Sequence, residues 1–179
     1  MLTLRATSIN WLNGSPLSAG DLCAHGKVEM LVDGTTLVSP GQDDLTLSAA
    51  ALYLLRTLKD DHTPDNPVAE ANLLFPCCGH AVFKNNGRYS VVCIGCPNGV
   101  DVYVRHQSDQ VTLQAAESDA FHTIPLQEWR RAVLAFVSQV EQFYEANERS
   151  EPSTPEDEEG WRLFWQEWQS RATAARSEA

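Results

Sequence analysis

The chain has 179 residues, 43% hydrophobic and 21% charged, with a net charge of −11 and a pI near 4.7. That suits one globular domain or a domain with an appendage, large enough to bury roughly 70% of its unfolded surface and so to fold without disulfides or metal. The acidity argues against nucleic acid and against an anionic membrane surface as partners, because both require Lys and Arg to meet phosphates; it fits a cationic partner, or simply solubility.

The opening MLTLRATSINWLNG has no basic start followed by an apolar run and a small-residue cleavage site, so it does not read as a signal peptide. No window approaches the 18 or so consecutive apolar residues that would span a bilayer. Both points predict a cytoplasmic protein. Thiols stay reduced there, which turns clustered cysteines toward metal or chemistry rather than disulfides.

Residues 3–9 alternate weakly and predict a first strand, and Asn13-Gly14 and Ser15-Pro16 predict a loop. KVEMLV (27–32), Asp33-Gly34 and TTLVS (35–39) predict a β-hairpin, since Asp-Gly supplies the positive φ angles of a type I′ turn. Leu47, Ala50, Ala51, Leu54, Leu55 and Leu58 recur at helical spacing and predict a helix over 46–60, capped by Thr46 or Ser48. The prolines of DDHTPDNP (60–67) force a loop after it.

AVF (81–83), Asn85-Asn86-Gly87, RYSVVCI (88–94), Pro97-Asn98-Gly99, VDVYVRH (100–106) and VTLQA (111–115) alternate strand and turn signals. They predict one antiparallel meander. Pro125 then suits a first helical position. An apolar stripe of Leu126, Trp129, Val133, Phe136, Val137, Val140, Phe143 and Tyr144 predicts a helix to about residue 147. RSEPSTPEDEE (149–159) reads as an acidic linker. Within it, Thr154 caps a last helix, Pro155 sits in its first turn, and Glu156, Asp157, Glu158 and Glu159 complement its positive end. Trp161, Phe164, Trp165 and Trp168 fall at i, i+3, i+4 and i+7 of that helix.

The expected fold class is therefore α+β: an antiparallel β-meander packed against two amphipathic helices, with a C-terminal Trp-rich helix. Residues 1–148 form the single α+β domain, 149–159 the linker and 160–179 the helix. The Trp face either docks on the chain's own core or serves a partner or a homodimer through Trp161, Trp165 and Trp168.

Four of the five cysteines lie in PCCGHAVFKNNGRYSVVCIGCPNG (76–99). Structural zinc takes four Cys or His ligands tetrahedrally, usually as two pairs from short knuckles. Cys93-Ile-Gly-Cys96 is one knuckle, with Gly95 permitting its turn. Cys77-x₂-His80 is the other, and a hairpin joins them. Cys77 is preferred over the adjacent Cys78 because only its spacing to His80 matches the second knuckle. Cys23 and His25, in LCAHG, are substitute ligands. The segment resembles a zinc ribbon, with two departures: the first knuckle uses His, and Cys78 is an extra thiol. That resemblance implies a structural Zn²⁺ held by Cys77, His80, Cys93 and Cys96.

Two chemical alternatives use the same residues. Cys93 and Cys96 could form a redox pair, although the pair follows a strand instead of opening a helix. Cys77 or Cys78 could be a nucleophile with His80, His106 or His122 as base and Asp101 orienting it. No H-E-x-x-H, deaminase H-x-E, phosphate-loop, dinucleotide or G-x-S-x-G motif is present. His62 and His122 sit in polar contexts and read as bystanders.

The layout DLCAHG … LSAAALYLLRTL … PCCGH … GCPNG resembles uncharacterised bacterial immunity proteins that neutralise secreted toxins. That resemblance implies a non-catalytic interaction protein whose acidic residues, Asp43, Asp44, Asp60, Asp61 and Glu156 to Glu159, face a basic toxin. The rival expectation is a metal- or thiol-dependent enzyme using the Cys/His cluster.

Overall fold

The computed structural model describes residues 1–12, 22–41, 44–69, 73–77, 80–85, 88–93, 98–148 and 150–178, with 80–85 and 88–93 described as backbone. Among these residues the fold is α+β, built from antiparallel sheets and three helices.

β1 (Leu2–Asn10) pairs antiparallel with β2 (His25–Val32), from Leu2 opposite Val32 to Asn10 opposite His25, with a bulge between Ala6 and Ser8. β2 turns through Asp33 (φ 50°) and Gly34 (φ 84°) into β3 (Thr35–Val38). Two positive φ angles in succession are what a type I′ turn requires. Val28, Met30 and Val32 alternate inward along β2 and are fully buried. The first residues of β2 also pair with β4 (Leu45–Thr46), which puts His25 opposite Thr46.

α1 (Leu47–Arg56) follows at once. Its sequence reads as amphipathic, yet every residue from Leu47 to Leu55 is buried. A helix covered on all sides is a central one. It packs against α2 (Leu126–Ala146) and α3 (Pro155–Ser177) as well as β2, β4 and β5 (Phe75–Pro76). Thr46 holds the N-cap position, but its hydroxyl makes no cap bond. The Leu47 N–H instead donates to the Ala24 carbonyl at 2.8 Å.

The expected single meander over 81–115 is divided. Among the described residues, β5 pairs with β8 (Gly99–Val100), β6 (His80–Asn85) pairs with β7 (Arg88–Cys93), and β9 (Val102–Gln107) pairs with β10 (Gln110–Ala115). The break has a local cause. Asp101 stands between β8 and β9, and its carboxylate accepts bonds from His62 and Leu74, so the chain leaves one ladder before it enters the next. The β6–β7 hairpin lies against α3. β10 also gains β11 (His122–Pro125), a strand that the sequence signals did not reveal. Pro125 consequently ends β11 at the N-cap of α2 and is not the first helical residue.

α3 begins as its sequence predicts. Thr154 caps it by accepting the Asp157 N–H at 3.1 Å. The sequence left the face of Trp161, Trp165 and Trp168 to either the chain's own core or a partner. Trp161 and Trp168 are buried in one continuous core with Val28 and Met30 of β2, Leu54 of α1 and Phe136 of α2. Trp165 is partly buried, edge-on to Tyr144 with ring centroids 5.0 Å apart. Trp168 Nε1 donates to Glu141 of α2 at 2.9 Å. The helix docks at home because an apolar stripe of this size finds a matching α1–α2 surface in the same chain. No helix among the described residues is long and apolar enough to cross a membrane.

Candidate functional site

The cysteine-rich segment runs through two short ladders set end to end. In the first, Phe75 faces Val100 and Pro76 faces Gly99, and the Cys77 N–H then donates to the Asn98 carbonyl at 3.1 Å. In the second, His80 faces Cys93, and the pairing continues to Asn85 opposite Arg88. Residues 78–79 and 94–97, the sequence gap between the two ladders, lie outside the described residues. The described pairs that border it are Cys77 with Asn98 on one side and His80 with Cys93 on the other.

Three of the expected ligands border this gap. Cys77 stands at one end, and His80 and Cys93 are register partners at the other. Cys96 and the alternative Cys78 fall within it and lie outside the described residues. Among the described residues, no group of three or more His, Cys, Asp or Glu is gathered for a metal.

Cys77 is the best-anchored member. It is buried and bridges to Leu45, and its carbonyl accepts the Thr46 hydroxyl at 2.7 Å. Gly99 lets the strands approach at this point. A Cβ there would stand 2.8 Å from the Phe75 carbonyl oxygen and 3.2 Å from the Cys77 nitrogen. The substitute ligands sit on the far side of β4. His25 pairs with Thr46 in register, while Cys77 bridges to Leu45, so two strand spacings, about 10 Å, separate their backbones. Cys23 is buried two residues before His25.

The acid–base groups are arranged differently from the sequence reading. Among the described side chains, Asp101 pairs with neither His106 nor His122, and the side chain of His80 lies outside the described residues. Asp101 accepts the His62 Nε2–H at 2.8 Å and the Leu74 N–H at 2.9 Å on one oxygen, Oδ1. His62 Nδ1 accepts the Val68 N–H at 3.1 Å. Because Nδ1 is an acceptor, Nε2 carries the proton, and the ring is the neutral tautomer. His62 is 1% exposed, and both its nitrogens are engaged. It is a structural clasp, not a bystander and not a base poised for substrate. The polar stretch DDHTPDNP gave no sign of this, because the partner acid lies 39 residues away.

His106 has its own acid. Asp61 Oδ1 accepts both the His106 backbone N–H and its ring Nδ1–H, each at 2.8 Å. Burial pushes the Asp61 carboxyl up, but these two bonds and the nearby His106 and Arg105 charges outweigh it and hold the carboxyl below its ordinary range. Asp61 is therefore committed inside the chain. Of the other acids expected to meet a partner, Asp60, Glu156 and Glu158 are exposed and Asp44 is partly buried. The Asp157 carboxylate accepts the Thr154 hydroxyl at the start of α3, Glu159 pairs with Arg162, and Asp43 lies outside the described residues.

No protein-family model, curated protein or solved structure matches the chain.

Proposed function

We propose that the protein is a non-catalytic binding module of the cytoplasm, with a structural zinc ion in its 77–96 hairpin and an acidic surface that engages a basic protein. The support for the metal is the course of the backbone. Cys77 on one side, and His80 in register with Cys93 on the other, border the sequence gap that contains Cys96. Three thiolates and an imidazole are a donor set that favours zinc over calcium or magnesium. Four protein donors leave no position for water, which makes the role structural.

In this reading the ion joins the β5–β8 and β6–β7 ladders into one stiff arm lying along α3. The chain's core is extensive without it, so the ion sets the shape of the arm and not the existence of the fold.

Support for the partner is charge. A net charge of −11 with Asp60, Glu156 and Glu158 at the surface draws a basic protein into rapid encounter. Neutralising a basic toxin, as immunity proteins do, is the specific form we assign to it.

Metal analysis and X-ray absorption on the purified chain test the site. One zinc per chain with three sulfur neighbours and one nitrogen neighbour is the expected result. An oxygen neighbour in the fourth position would favour the rival reading, a zinc enzyme. A protein free of zinc that folds normally would remove the staple. For the partner, association with a basic toxin domain encoded beside this chain should slow steeply with added salt. Association indifferent to salt would remove the steering claim.

A further inference from the structure

Four cations line one cleft of this acidic molecule. The cleft runs between α1 and α3, has a volume of about 810 Å³, and is bordered by Arg56, Lys59, Arg130 and Arg171, with Leu55 and Leu163 on its apolar wall. That size is ordinary for a small-molecule site.

The two halves of the cleft are neutralised differently. Glu167 lies between Arg56 (Nε–H donating at 2.9 Å) and Arg171 (Nε–H donating at 2.5 Å), and Arg56 also donates to the Val68 carbonyl. That half is part of the framework that ties α3 to α1. The other half depends on Glu178, just beyond α3. Arg130 donates from one terminal nitrogen to the Glu178 carbonyl and from the other to its Oε2, both at 2.8 Å. Lys59 Nζ stands 3.8 Å from Glu178 Oε1.

The asymmetry is in burial. The Arg130 side chain is 9% exposed, and its Nε is buried with no partner among the described residues. A guanidinium so placed requires a carboxylate, because a buried cation has lost its hydration and gains nothing back without a partner. The group that supplies it is 46% exposed and hangs from the last turn of a helix. A buried guanidinium is thus met by a carboxylate that is itself half open to solvent.

We infer that the cleft is a binding site for a small organic carboxylate with an apolar body, and that Glu178 occupies the position of its carboxylate. One terminal nitrogen of Arg130 takes one carboxylate oxygen, as it takes Glu178 Oε2, Lys59 stands toward the other, and Leu163 borders the apolar body.

Octanoate is the probe, with inorganic phosphate as the second arm, each titrated calorimetrically and by thermal shift into the full chain and into Glu178→Ala. Removing the internal carboxylate should tighten octanoate binding about tenfold and make octanoate raise the Tm of Glu178→Ala more than that of the parent. Lys59→Gln, at an exposed position that leaves the core untouched, should weaken octanoate binding in the Glu178→Ala chain. Saturable phosphate binding tighter than octanoate would overturn the carboxylate assignment. Absence of saturable octanoate binding to Glu178→Ala would overturn the site.

Discussion

Asp101 Oδ1 receives hydrogen bonds from His62 of the Pro-rich loop and from the Leu74 backbone at the same time, so one carboxylate oxygen joins three separate stretches of chain. Removing it leaves two donors without an acceptor. Asp101→Ala should therefore cost about 2–4 kcal/mol, at the upper end for a single hydrogen-bonding group, because His62 is buried and cannot turn to water. Urea unfolding of the two proteins measures the difference. A loss below about 0.5 kcal/mol, the level of a surface substitution, would show that the clasp is dispensable.

The cysteines should separate sharply under substitution. If residues 77–96 hold zinc, Cys96→Ser loses the ion and a large part of the stability of the hairpin, whereas Cys78→Ser changes stability by about 1 kcal/mol or less and keeps the metal. Zinc content and hydrogen exchange over β6–β7 report both effects. Equal, small losses would mean thiols packed without a cation.

Gly99→Ala probes the same place through the backbone. Its Cβ would sit 2.8 Å from the Phe75 carbonyl oxygen, and β5 cannot yield by moving a flexible tip because the contact is main chain. We expect a loss of about 1–3 kcal/mol, as for overpacking, together with weaker zinc retention.

Glu167 gives the acid limb of stability. Burial raises its carboxyl, but the hydrogen bonds and charges of Arg56 and Arg171 prevail and hold it below the ordinary 4.5. The folded state then binds this proton less readily than the unfolded chain. The contribution is complete above pH 4.5 and is lost as pH falls through the lower folded value. Glu167→Gln should cost about 2 kcal/mol at pH 7, between an exposed and a buried pair, and the parent's advantage should shrink toward pH 3. Parallel pH–denaturation curves for the two proteins would refute it.

Trp168→Ala should destabilise by about 3–5 kcal/mol, as other large-to-small changes in cores do. The helix face it belongs to is covered by α1 and α2, so the change should appear as a lowered Tm without a shift in oligomeric state. A dissociated dimer with unchanged Tm would contradict the docking of α3.

Elements with a strong local signal were readable from the residues alone. Asp33-Gly34 announced the β2–β3 turn, and Thr154-Pro155 with its acidic first turn announced α3, because both features arise within four residues. The burial of α1 on every side was not readable, since Ser48 and Ala49 look like the polar or neutral face of an ordinary amphipathic helix. β11 was hidden because only Ile124 of its four residues is buried. The pairing of His62 with Asp101, and of His106 with Asp61, is set by strand placement over about 40 residues of separation, beyond any spacing rule. The Cys77, His80, Cys93 and Cys96 spacing was visible, and so was the β6–β7 hairpin between His80 and Cys93.

The Thr46 hydroxyl donates to the Cys77 carbonyl, while its oxygen accepts no cap bond from α1. The first residue before the innermost helix is thereby moored to the backbone of the cysteine-rich segment. A disturbance at Cys77, by oxidation or alkylation, reaches the centre of the molecule in one step, and amide exchange at Leu47 and Ser48 is where it should register first.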